Sequence, residues 1–351
     1  MLARILRTAL ALAMALAIFF VTGEVLARAL GLVDRLNGYA RQLFAAGPSA
    51  DLPYRLRPGV EATFGGVRVR VNSLGLRGAD VTATPAPGTI RILALGDSVV
   101  FGQGVAEDET VTAVLARRLA ERWKKPVEVL NSGTQGYDTV AEAAYLAGPG
   151  LALAPGGVVV GMSLNDYDVA PSYDPTGVLT RRTASPPGLL ARSEFLLLLR
   201  WLRTWSRGEL LTQMLERTND TTRTPTPATN PTAASLDALV AREHLRFYHE
   251  PDAAAWARLR GALERLRDTA AAHGSWLVVA IFPESYQVGV DAPDLTPQQR
   301  LLALCAEAKI ACIDLQPAFA AAGGDLFQDT QHPNVRGHAV AADAIAAALA
   351  S

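Results

Sequence analysis

One short stretch constrains the fold of this chain more than any other: an apolar run that ends abruptly in Gly-Asp-Ser. Residues Ile90 to Leu95 follow a segment rich in proline and glycine and stop at Gly96, which predicts a short buried strand. Apolar residues then recur at helical spacing from about Glu109 to Trp123. We therefore expect Ser98 at the sheet edge where α/β proteins place their chemistry, although Gly, Asp and Ser are also ordinary turn residues.

Three later stretches join the first in a recognisable order. Asn131–Thr139 follows a second strand-like run, Val158–Asp166 contains a third, and Asp329–His338 lies near the C-terminus. Together with Gly-Asp-Ser98 they resemble the four sequence blocks of the GDSL-type (SGNH) serine esterases. The resemblance covers about residues 90 to 350, interrupted by one long insertion, and implies a hydrolase with a serine nucleophile.

The matching blocks assign a catalytic triad to Ser98, Asp329 and His332. A histidine suits the role of base because its unperturbed pKa of about 6.5 lets it accept a serine proton near neutral pH and return it to the leaving group. Asp329 precedes His332 by three residues, so its carboxylate can reach the imidazole Nδ1 within one turn and fix the tautomer.

The resemblance also implies three donors for an oxyanion hole. They are the backbone N–H groups of Ser98 and Gly136 and the side-chain amide of Asn165. Alternatively, Asn165 caps the following helix and Gly136 is only a turn glycine. Two residues depart from the family pattern: Val99 replaces the usual leucine, and Ser163 stands where many members carry glycine. The second departure bears on the width of the pocket and on the acyl preference.

The order of elements predicts an α/β fold. Five strand-like runs begin near residues 90, 127, 157, 276 and 310, and helical patterns separate them. This alternation indicates a five-stranded parallel sheet with helices on both faces, and the resemblance implies the flavodoxin-like, three-layer α/β/α arrangement. We expect the catalytic domain over 90–351, preceded by a lead-in over 33–89. In that lead-in, Val67–Asn72 alternates as a strand, and the turn-rich Ser73–Gly78 follows it. The stretch Asn72–Gly78 resembles an Asn-Ser-x-Gly-x-Arg-Gly stretch that precedes the serine block in membrane-tethered members of the esterase family, and it is expected to form an edge hairpin or part of the rim of the site.

The apolar N-terminal segment indicates the cellular compartment of the catalytic domain. Thr8–Gly23 is apolar or small throughout, and continuation to Leu32 makes a comfortable membrane span, so we expect an anchor over 1–32 with Glu24 and Arg28 one turn apart. The alternative is a cleaved signal peptide ending at Val21-Thr-Gly23. Both place the catalytic domain outside the cytoplasm, in the periplasm or at the cell surface.

An insertion over about 167–250 departs from the compact pattern. It contains an apolar helix within 187–217, richest at Ser193–Trp205, which packs on the domain, forms a lid or touches the bilayer. Thr218–Thr232 is a Thr/Pro stretch of low complexity and is predicted to be a mobile loop.

The cysteines and histidines outside the triad give no metal site. Cys305 and Cys312 are expected as buried free thiols, with a disulfide as the less favoured alternative. His244 and His249 are five residues apart and lack a third ligand, which predicts solvated side chains. His273 is expected at a helix C-terminus, and His338 is expected to pack or to cap on the last helix.

The expected protein is a membrane-tethered serine esterase that cleaves O-acyl esters without a cofactor. O-acetyl esters of envelope carbohydrate are favoured over lipid esters as substrates. A net charge of −1 supplies no basic field for nucleic acid, and the oligomeric state is left open. Two alternatives remain. An O-acetyltransferase would pass the same acyl group to an exopolysaccharide hydroxyl, and a non-catalytic glycan-binding protein would keep the fold alone, although its triad positions are filled.

Overall fold

The structure, a computed structural model, describes residues 1–32, 42–64, 66–168, 170–173, 179, 180, 193–196, 198, 199 and 231–349. Its strands are β1 Phe44–Ala46, β2 Tyr54–Leu56, β3 Glu61–Phe64, β4 Val67–Arg70, β5 Ile90–Gly96, β6 Val127–Asn131, β7 Gly157–Met162, β8 Ser172–Tyr173, β9 Leu179–Thr180, β10 Trp276–Ile281 and β11 Ala311–Asp314. Its α-helices are α1 Leu2–Ala29, α2 Ser98–Phe101, α3 Val111–Trp123, α4 Thr139–Tyr145, α5 Pro231–His249, α6 Ala253–Ala272, α7 Thr296–Ala308, α8 Gln316–Ala322 and α9 Val335–Ala348.

The centre of the fold is a five-stranded parallel sheet in the order β11-β10-β7-β5-β6. The prediction of five parallel strands alternating with helices is therefore confirmed. The strand order reverses between β5 and β7, because β6 pairs with the far side of β5. In open α/β sheets a crevice forms at such a point, outside the carboxyl ends of the strands. The residues that follow β5 and β7 therefore lie where a ligand is expected.

Helices cover both faces of this sheet. Along β5, Ile92 packs with α3 and α9 in one core cluster, whereas Leu93 packs with α4, α6 and α7 in another. Neighbouring strand residues point to opposite faces, and both faces of β5 are apolar because both are covered. The result is the three-layer arrangement that the sequence predicted.

The lead-in before β5 forms two small antiparallel pairs, β1 with β2 and β3 with β4. The predicted hairpin strand is confirmed as β4. After it, Asn72 Oδ1 accepts the backbone N–H groups of Leu74 and Leu76, each at 3.0 Å, and shapes a turn. This turn directs Arg77 back toward the sheet, where its backbone N–H donates to the Asn131 carbonyl at 3.0 Å.

The N-terminal helix α1 is long and apolar enough to cross a membrane. Its segment Leu6–Ala29 has 24 residues and a mean hydropathy of 2.2, and its described side chains are exposed apart from those near Gly23, Glu24 and the buried Ala27. At 1.5 Å per residue it spans about 36 Å, which exceeds a hydrocarbon core of about 30 Å. A signal sequence would share these features. Arg28 Nη2 pairs with Glu24 Oε1 at 2.6 Å, as their spacing predicted.

The described part of the insertion's apolar stretch contacts α1. Glu24 accepts the Ser193 hydroxyl at 2.7 Å and the Phe195 N–H at 2.9 Å. The Phe195 ring lies 5.3 Å from the Phe19 ring and 5.8 Å from the Phe20 ring, measured between centroids. The remainder of the predicted apolar helix, at 187–192, 197 and 200–217, and the Thr/Pro stretch up to residue 230 lie outside the described residues. Pro231 and Thr232, predicted to end the loop, instead begin α5.

The expectation of free thiols is wrong, because Cys305 and Cys312 form a disulfide. Cys305 lies in the last turn of α7, and Lys309 ends that helix in the left-handed conformation, with φ 56°. This tight reversal leads directly into β11 and brings the two Cα atoms to 6.2 Å. A distance of that size is ordinary for a disulfide. Helix and strand periodicity alone do not show how closely a helix and the next strand approach.

Candidate active site

Ser98 lies where the predicted strand and helix meet. It begins the short helix α2 directly after β5, and Asp97 caps that helix by accepting the Val99 N–H at 2.8 Å. Gly96 adopts a φ of 157° at the end of the strand, and a Cβ there would collide with Val100. The turn therefore requires glycine before the serine.

Three predicted side chains meet in one hydrogen-bonded chain. His332 Nε2 lies 2.8 Å from Ser98 Oγ, and His332 Nδ1 lies 2.7 Å from Asp329 Oδ2. A neutral imidazole with its proton on Nδ1 donates to the carboxylate and accepts the serine hydroxyl at Nε2. This arrangement can remove the hydroxyl proton while Oγ attacks an electrophilic carbon.

The Asp329 carboxylate is held by the segment that it orients. Its Oδ1 accepts the backbone N–H groups of Gln331 at 2.9 Å and of His332 at 2.8 Å. Partial burial raises the pKa of Asp329, but the charge and hydrogen bonds of His332 outweigh burial and lower that pKa to about 2. The carboxylate is therefore ionised throughout the pH range in which an imidazole acts as a base.

Gln328 joins the segment of His332 to the segment of Ser98. The Gln328 N–H donates to the His332 carbonyl at 2.8 Å. Its side-chain amide donates to the carbonyls of Gln103 at 2.8 Å and Pro333 at 3.0 Å. Because Gln103 follows α2 closely, this one side chain fixes the C-terminal loop against the turn that carries Ser98.

The two further candidate donors lie in loops at the same sheet edge. The loop after β6 is tied to β5 by the Thr134 N–H, which donates to the Gly96 carbonyl at 3.0 Å. In that loop Gly136 adopts a φ of 75°, a conformation that favours glycine. Asn165 follows β7, and its Oδ1 is buried with no hydrogen-bond partner among the described residues. Neither Gly136 nor Asn165 hydrogen-bonds to Ser98 in the described part of the chain.

Ser163 contacts the turn that carries Ser98. Its hydroxyl donates to Asp97 Oδ1 at 2.9 Å, and its N–H donates to Asp166 Oδ2 at 3.0 Å. Burial raises the pKa of Asp97, against the lowering effect of the Val99 N–H and the charge of His332. The residue that departs from the family pattern is therefore a hydrogen-bond partner of the turn that holds Ser98.

Two more buried carboxyl groups lie near this turn. Glu142 is fully buried, and neither of its carboxyl oxygens has a hydrogen-bond partner among the described residues. Burial, and after it the charges of Asp97 and Asp138, raises the pKa of Glu142 well above its ordinary value. Burial and the charges of Glu142 and Asp97 do the same for the pKa of Asp166. These groups stay protonated at a pH at which solvated carboxyl groups ionise.

Arg77 belongs to the Asn72–Gly78 stretch that was expected at an edge hairpin or at the rim of the site, and it holds the end of α2. Its guanidinium donates to the carbonyls of Phe101 at 2.6 Å, Gly102 at 2.5 Å and Val105 at 2.5 Å. Burial lowers its pKa to about 10 despite the charge of Glu107. A fixed cation at a helix C-terminus is favourable for the helix dipole. The lead-in before β5 therefore supports the segment that begins with Ser98.

The prediction that His244 is solvated is wrong. His244 lies on α5 and is buried, with Nδ1 2.7 Å from Glu284 Oε1. His249 is about half exposed and pairs with Asp294 at 2.7 Å, in agreement with a solvated side chain. His273 ends α6, as expected. His338 is buried, and its Nδ1 accepts the Val111 N–H at 3.2 Å, so it both packs and caps α3.

No group of three His, Cys, Asp or Glu side chains in the described ranges is arranged to hold a metal ion. The chemistry that the arrangement can perform by itself is nucleophilic attack by Ser98, with His332 moving the proton.

Comparisons with known proteins agree with these blocks. A sequence model described as the GDSL-like lipase/acylhydrolase family matches residues 94–340. A search of curated proteins finds no match.

Several solved structures are similar at low identity. A lipase/acylhydrolase from Enterococcus faecalis is 14% identical, with 74% of this chain and 95% of that chain covered and a TM-score of 0.40. A catalytic mutant of an acetylxylan esterase from Geobacillus stearothermophilus is 15% identical, with 75% and 94% covered and a TM-score of 0.39. An α/β hydrolase from the metagenome of Lake Arreo, Spain, is 17% identical, with 76% and 97% covered and a TM-score of 0.41. These identities are too low to bear on the substrate.

Proposed function

The chain belongs to the GDSL-like lipase/acylhydrolase family and is a carboxylic ester hydrolase, and we propose that it cleaves its ester with Ser98 as nucleophile, His332 as general base and Asp329 as the residue that orients the imidazole. The observation that carries this proposal is the continuous chain of hydrogen bonds from Ser98 Oγ through the imidazole to Asp329, at 2.8 and 2.7 Å. A nucleophile, its base and the orienter of that base stand in the order that acyl transfer requires.

The reaction has two halves. Ser98 Oγ attacks the carbonyl carbon of the ester while His332 Nε2 takes the hydroxyl proton, and the imidazolium then gives that proton to the departing alcohol. The acyl group remains on Ser98. A water molecule, deprotonated by His332, attacks the acyl-enzyme in the second half, and the acid is released with the serine restored. Asp329 stabilises the imidazolium in both halves.

The charge on the carbonyl oxygen needs donors in each tetrahedral intermediate. We assign this role to the N–H groups of Ser98 and Gly136 and to the amide of Asn165. Support comes from their place at one sheet edge, with Ser98 at the start of α2 and Gly136 and Asn165 in the loops after β6 and β7, and from the fact that Gly136, with a positive φ, lies outside any strand. Loss of one such donor costs an esterase about 100- to 1,000-fold in kcat.

We also propose a cellular location and a substrate class for this reaction. We place an anchor at 1–32, a lead-in at 33–89 and the catalytic domain at 90–351, outside the cytoplasm. The apolar helix α1 and the Cys305–Cys312 disulfide support this placement, since disulfides persist in oxidising compartments. A tethered esterase in the cell envelope meets acylated carbohydrate and lipid, and we propose O-acyl esters of these, O-acetyl esters first, as substrates.

Hydrolysis assays with matched variants test the proposal. The full chain in detergent is assayed on p-nitrophenyl acetate and on an O-acetylated polysaccharide, with released acetate measured. We expect kcat to fall by roughly 10⁴-fold or more in Ser98→Ala and His332→Ala. Ser275→Ala is the control, because Ser275 is equally buried but lies before β10 at the opposite sheet edge. Equal activity in Ser98→Ala and Ser275→Ala would reject Ser98 as the nucleophile.

A further inference from the structure

The two residues between Asp329 and His332 are held from outside their own loop. Within the loop, the Asp329 carboxylate accepts the backbone N–H groups of Gln331 and His332. Three further polar groups of these two residues are the Thr330 hydroxyl, the Thr330 carbonyl and the Gln331 side-chain amide. Each of these has a partner elsewhere in the fold, and two of the partners lie on α5.

Thr330 is the first of the two held residues. Its hydroxyl donates to Asp237 Oδ1 on α5 at 2.7 Å. Its carbonyl accepts the Ser285 N–H, from the loop after β10, at 2.9 Å. Thr330 is only 4% exposed, so a hydroxyl that lost Asp237 would have no water to replace it. The contact therefore fixes the backbone at the residue next to Asp329.

Gln331 is the second held residue, and its partner is itself fixed. Gln331 Nε2 lies 3.3 Å from His244 Nε2, while His244 Nδ1 lies 2.7 Å from Glu284 Oε1. A neutral imidazole with its proton on Nδ1 donates to Glu284 and accepts the Gln331 amide N–H at Nε2. Asp237 and His244 are seven residues apart, so two helical turns place both on one face of α5.

The same part of α5 also contacts the loop that carries Asn165. The Tyr167 ring stacks on the Phe247 ring with centroids 3.6 Å apart. The Tyr167 ring also meets the His244 ring edge to face at 6.3 Å. One helix of the insertion thus touches both the loop of the proposed base and the loop of a proposed oxyanion donor.

We propose that Asp237 and His244 are positioning residues of the active site, which act through Thr330 and Gln331 to keep the His332 imidazole within reach of Ser98. The inference rests on the proposed function and deepens it. Because α5 lies between the third and fourth sequence blocks, the insertion then forms part of the catalytic apparatus. Helix docking and the alignment of the base are linked by the two contacts.

Side-chain substitutions at the Thr330 contact test this inference. The full chain in detergent is assayed on p-nitrophenyl acetate as Thr330→Val, Asp237→Ala and Thr330→Ser. We expect Thr330→Val and Asp237→Ala to lower kcat about tenfold, as small misplacements of catalytic groups do, while KM changes less than about twofold. Thr330→Ser keeps the hydroxyl and should restore wild-type kcat. The rate of labelling by a fluorophosphonate probe should fall in parallel with kcat.

A double variant and a surface control separate positioning from general damage. Thr330→Val combined with Asp237→Ala should be no slower than the slower single variant, because both changes remove one contact. Glu243→Gln, exposed on α5 beside Arg246, should keep wild-type kinetics. Thermal unfolding is measured for every variant. If Thr330→Val fails to fold, the kinetics of Asp237→Ala test the inference instead, because Asp237 is only partly buried and its loss should be tolerated better.

The outcomes distinguish this inference from the function on which it rests. Wild-type kcat in Asp237→Ala or in Thr330→Val, in an enzyme that is active and labelled, overturns the positioning role alone. A raised KM with unchanged kcat also overturns it, because it would assign the contact to substrate binding. A wild-type chain that is neither active nor labelled overturns the proposed function and this inference with it.

Discussion

At the scale of single residues, Arg77 holds the end of the turn and helix that carry Ser98. Its three hydrogen bonds to carbonyls at and just after the end of α2 depend on the planar fork of the guanidinium. In Arg77→Lys the charge stays, but one ammonium cannot replace the fork. We expect a loss of about 2 kcal/mol in the free energy of unfolding and about tenfold in kcat. Denaturant titration and ester hydrolysis measure the two effects.

Arg70→Lys is the matched control for that prediction. Arg70 is also in the lead-in, but its guanidinium is exposed and pairs with Glu107 at 3.2 Å at the surface. Such pairs contribute little, so the change should stay within about 0.5 kcal/mol. If Arg77→Lys behaves like Arg70→Lys in both assays, the guanidinium does not support the segment of Ser98.

Glu142 predicts a pH dependence of stability. Because its folded pKa is raised, the folded state holds this proton more tightly than the unfolded state. The contribution to stability is complete below the unfolded pKa of about 4.5 and is lost as pH rises toward the folded pKa, at about 1.4 kcal/mol for each pH unit between the two pKa values. Glu142→Gln should therefore be more stable than wild type at pH 8, with the difference shrinking toward pH 4.5. Thermal unfolding of both proteins across this range measures it, and a constant difference would contradict the assignment.

The sequence identified the three residues of the candidate triad but not the residues that hold them in place. Ser98, Asp329 and His332 stand in recognisable blocks, and the structure brings all three together. Arg77 lies in the Asn72–Gly78 stretch, which was expected at an edge hairpin or at the rim of the site, but neither its partners nor those of His244 could be predicted, because these partners lie 24 or more residues away and depend on how loops pack. The burial of His244 was missed for the same reason. The spacing between His244 and His249 could not show that Glu284 would lie beside His244 in the fold.

At the scale of elements, the helix-to-strand reversal from α7 to β11 is closed by a disulfide. The bridge spans a separation of seven residues, and the loop-entropy argument gives roughly 2 kcal/mol for so short a loop. Reduction should lower the thermal midpoint of the wild-type chain by a few degrees. The double variant Cys305→Ala with Cys312→Ala should start at the lower midpoint and not respond to reductant. A wild-type midpoint that is unchanged by full reduction would contradict this contribution.

The strands of the central sheet and four helices of the catalytic domain followed from hydrophobic periodicity, whereas α4 and α8 were not predicted. Strands β5, β6, β7, β10 and β11 are apolar runs bounded by turn residues, and α3, α6, α7 and α9 have clear apolar stripes. Helix α5 was not predicted, because Thr218–Thr232 and the polar 242–250 segment give little helical pattern. Its stability comes from packing against Tyr167 and the C-terminal loop, which tertiary structure supplies.

At the scale of the whole molecule, α1 predicts how the protein partitions in a cell. If residues 1–32 are a retained anchor, the chain should sediment with membranes, resist alkaline extraction and keep its N-terminal residues by intact mass. If the helix is a cleaved signal, the mature chain should be soluble and begin near Glu24. Protease added outside the cytoplasmic membrane should digest the catalytic domain in both cases. A catalytic domain protected until the membrane is dissolved would contradict the proposed extracytoplasmic placement.

The proposed chemistry depends on Ser98 being a nucleophile that His332 activates across 2.8 Å. The most direct measurement is covalent labelling of the full chain by a fluorophosphonate, followed by mapping of the modified peptide. We predict a single adduct on Ser98, lost in Ser98→Ala, strongly slowed in His332→Ala and unchanged in Ser275→Ala. Folded wild-type protein that takes up no probe, or takes it up on another serine, would contradict this mechanism.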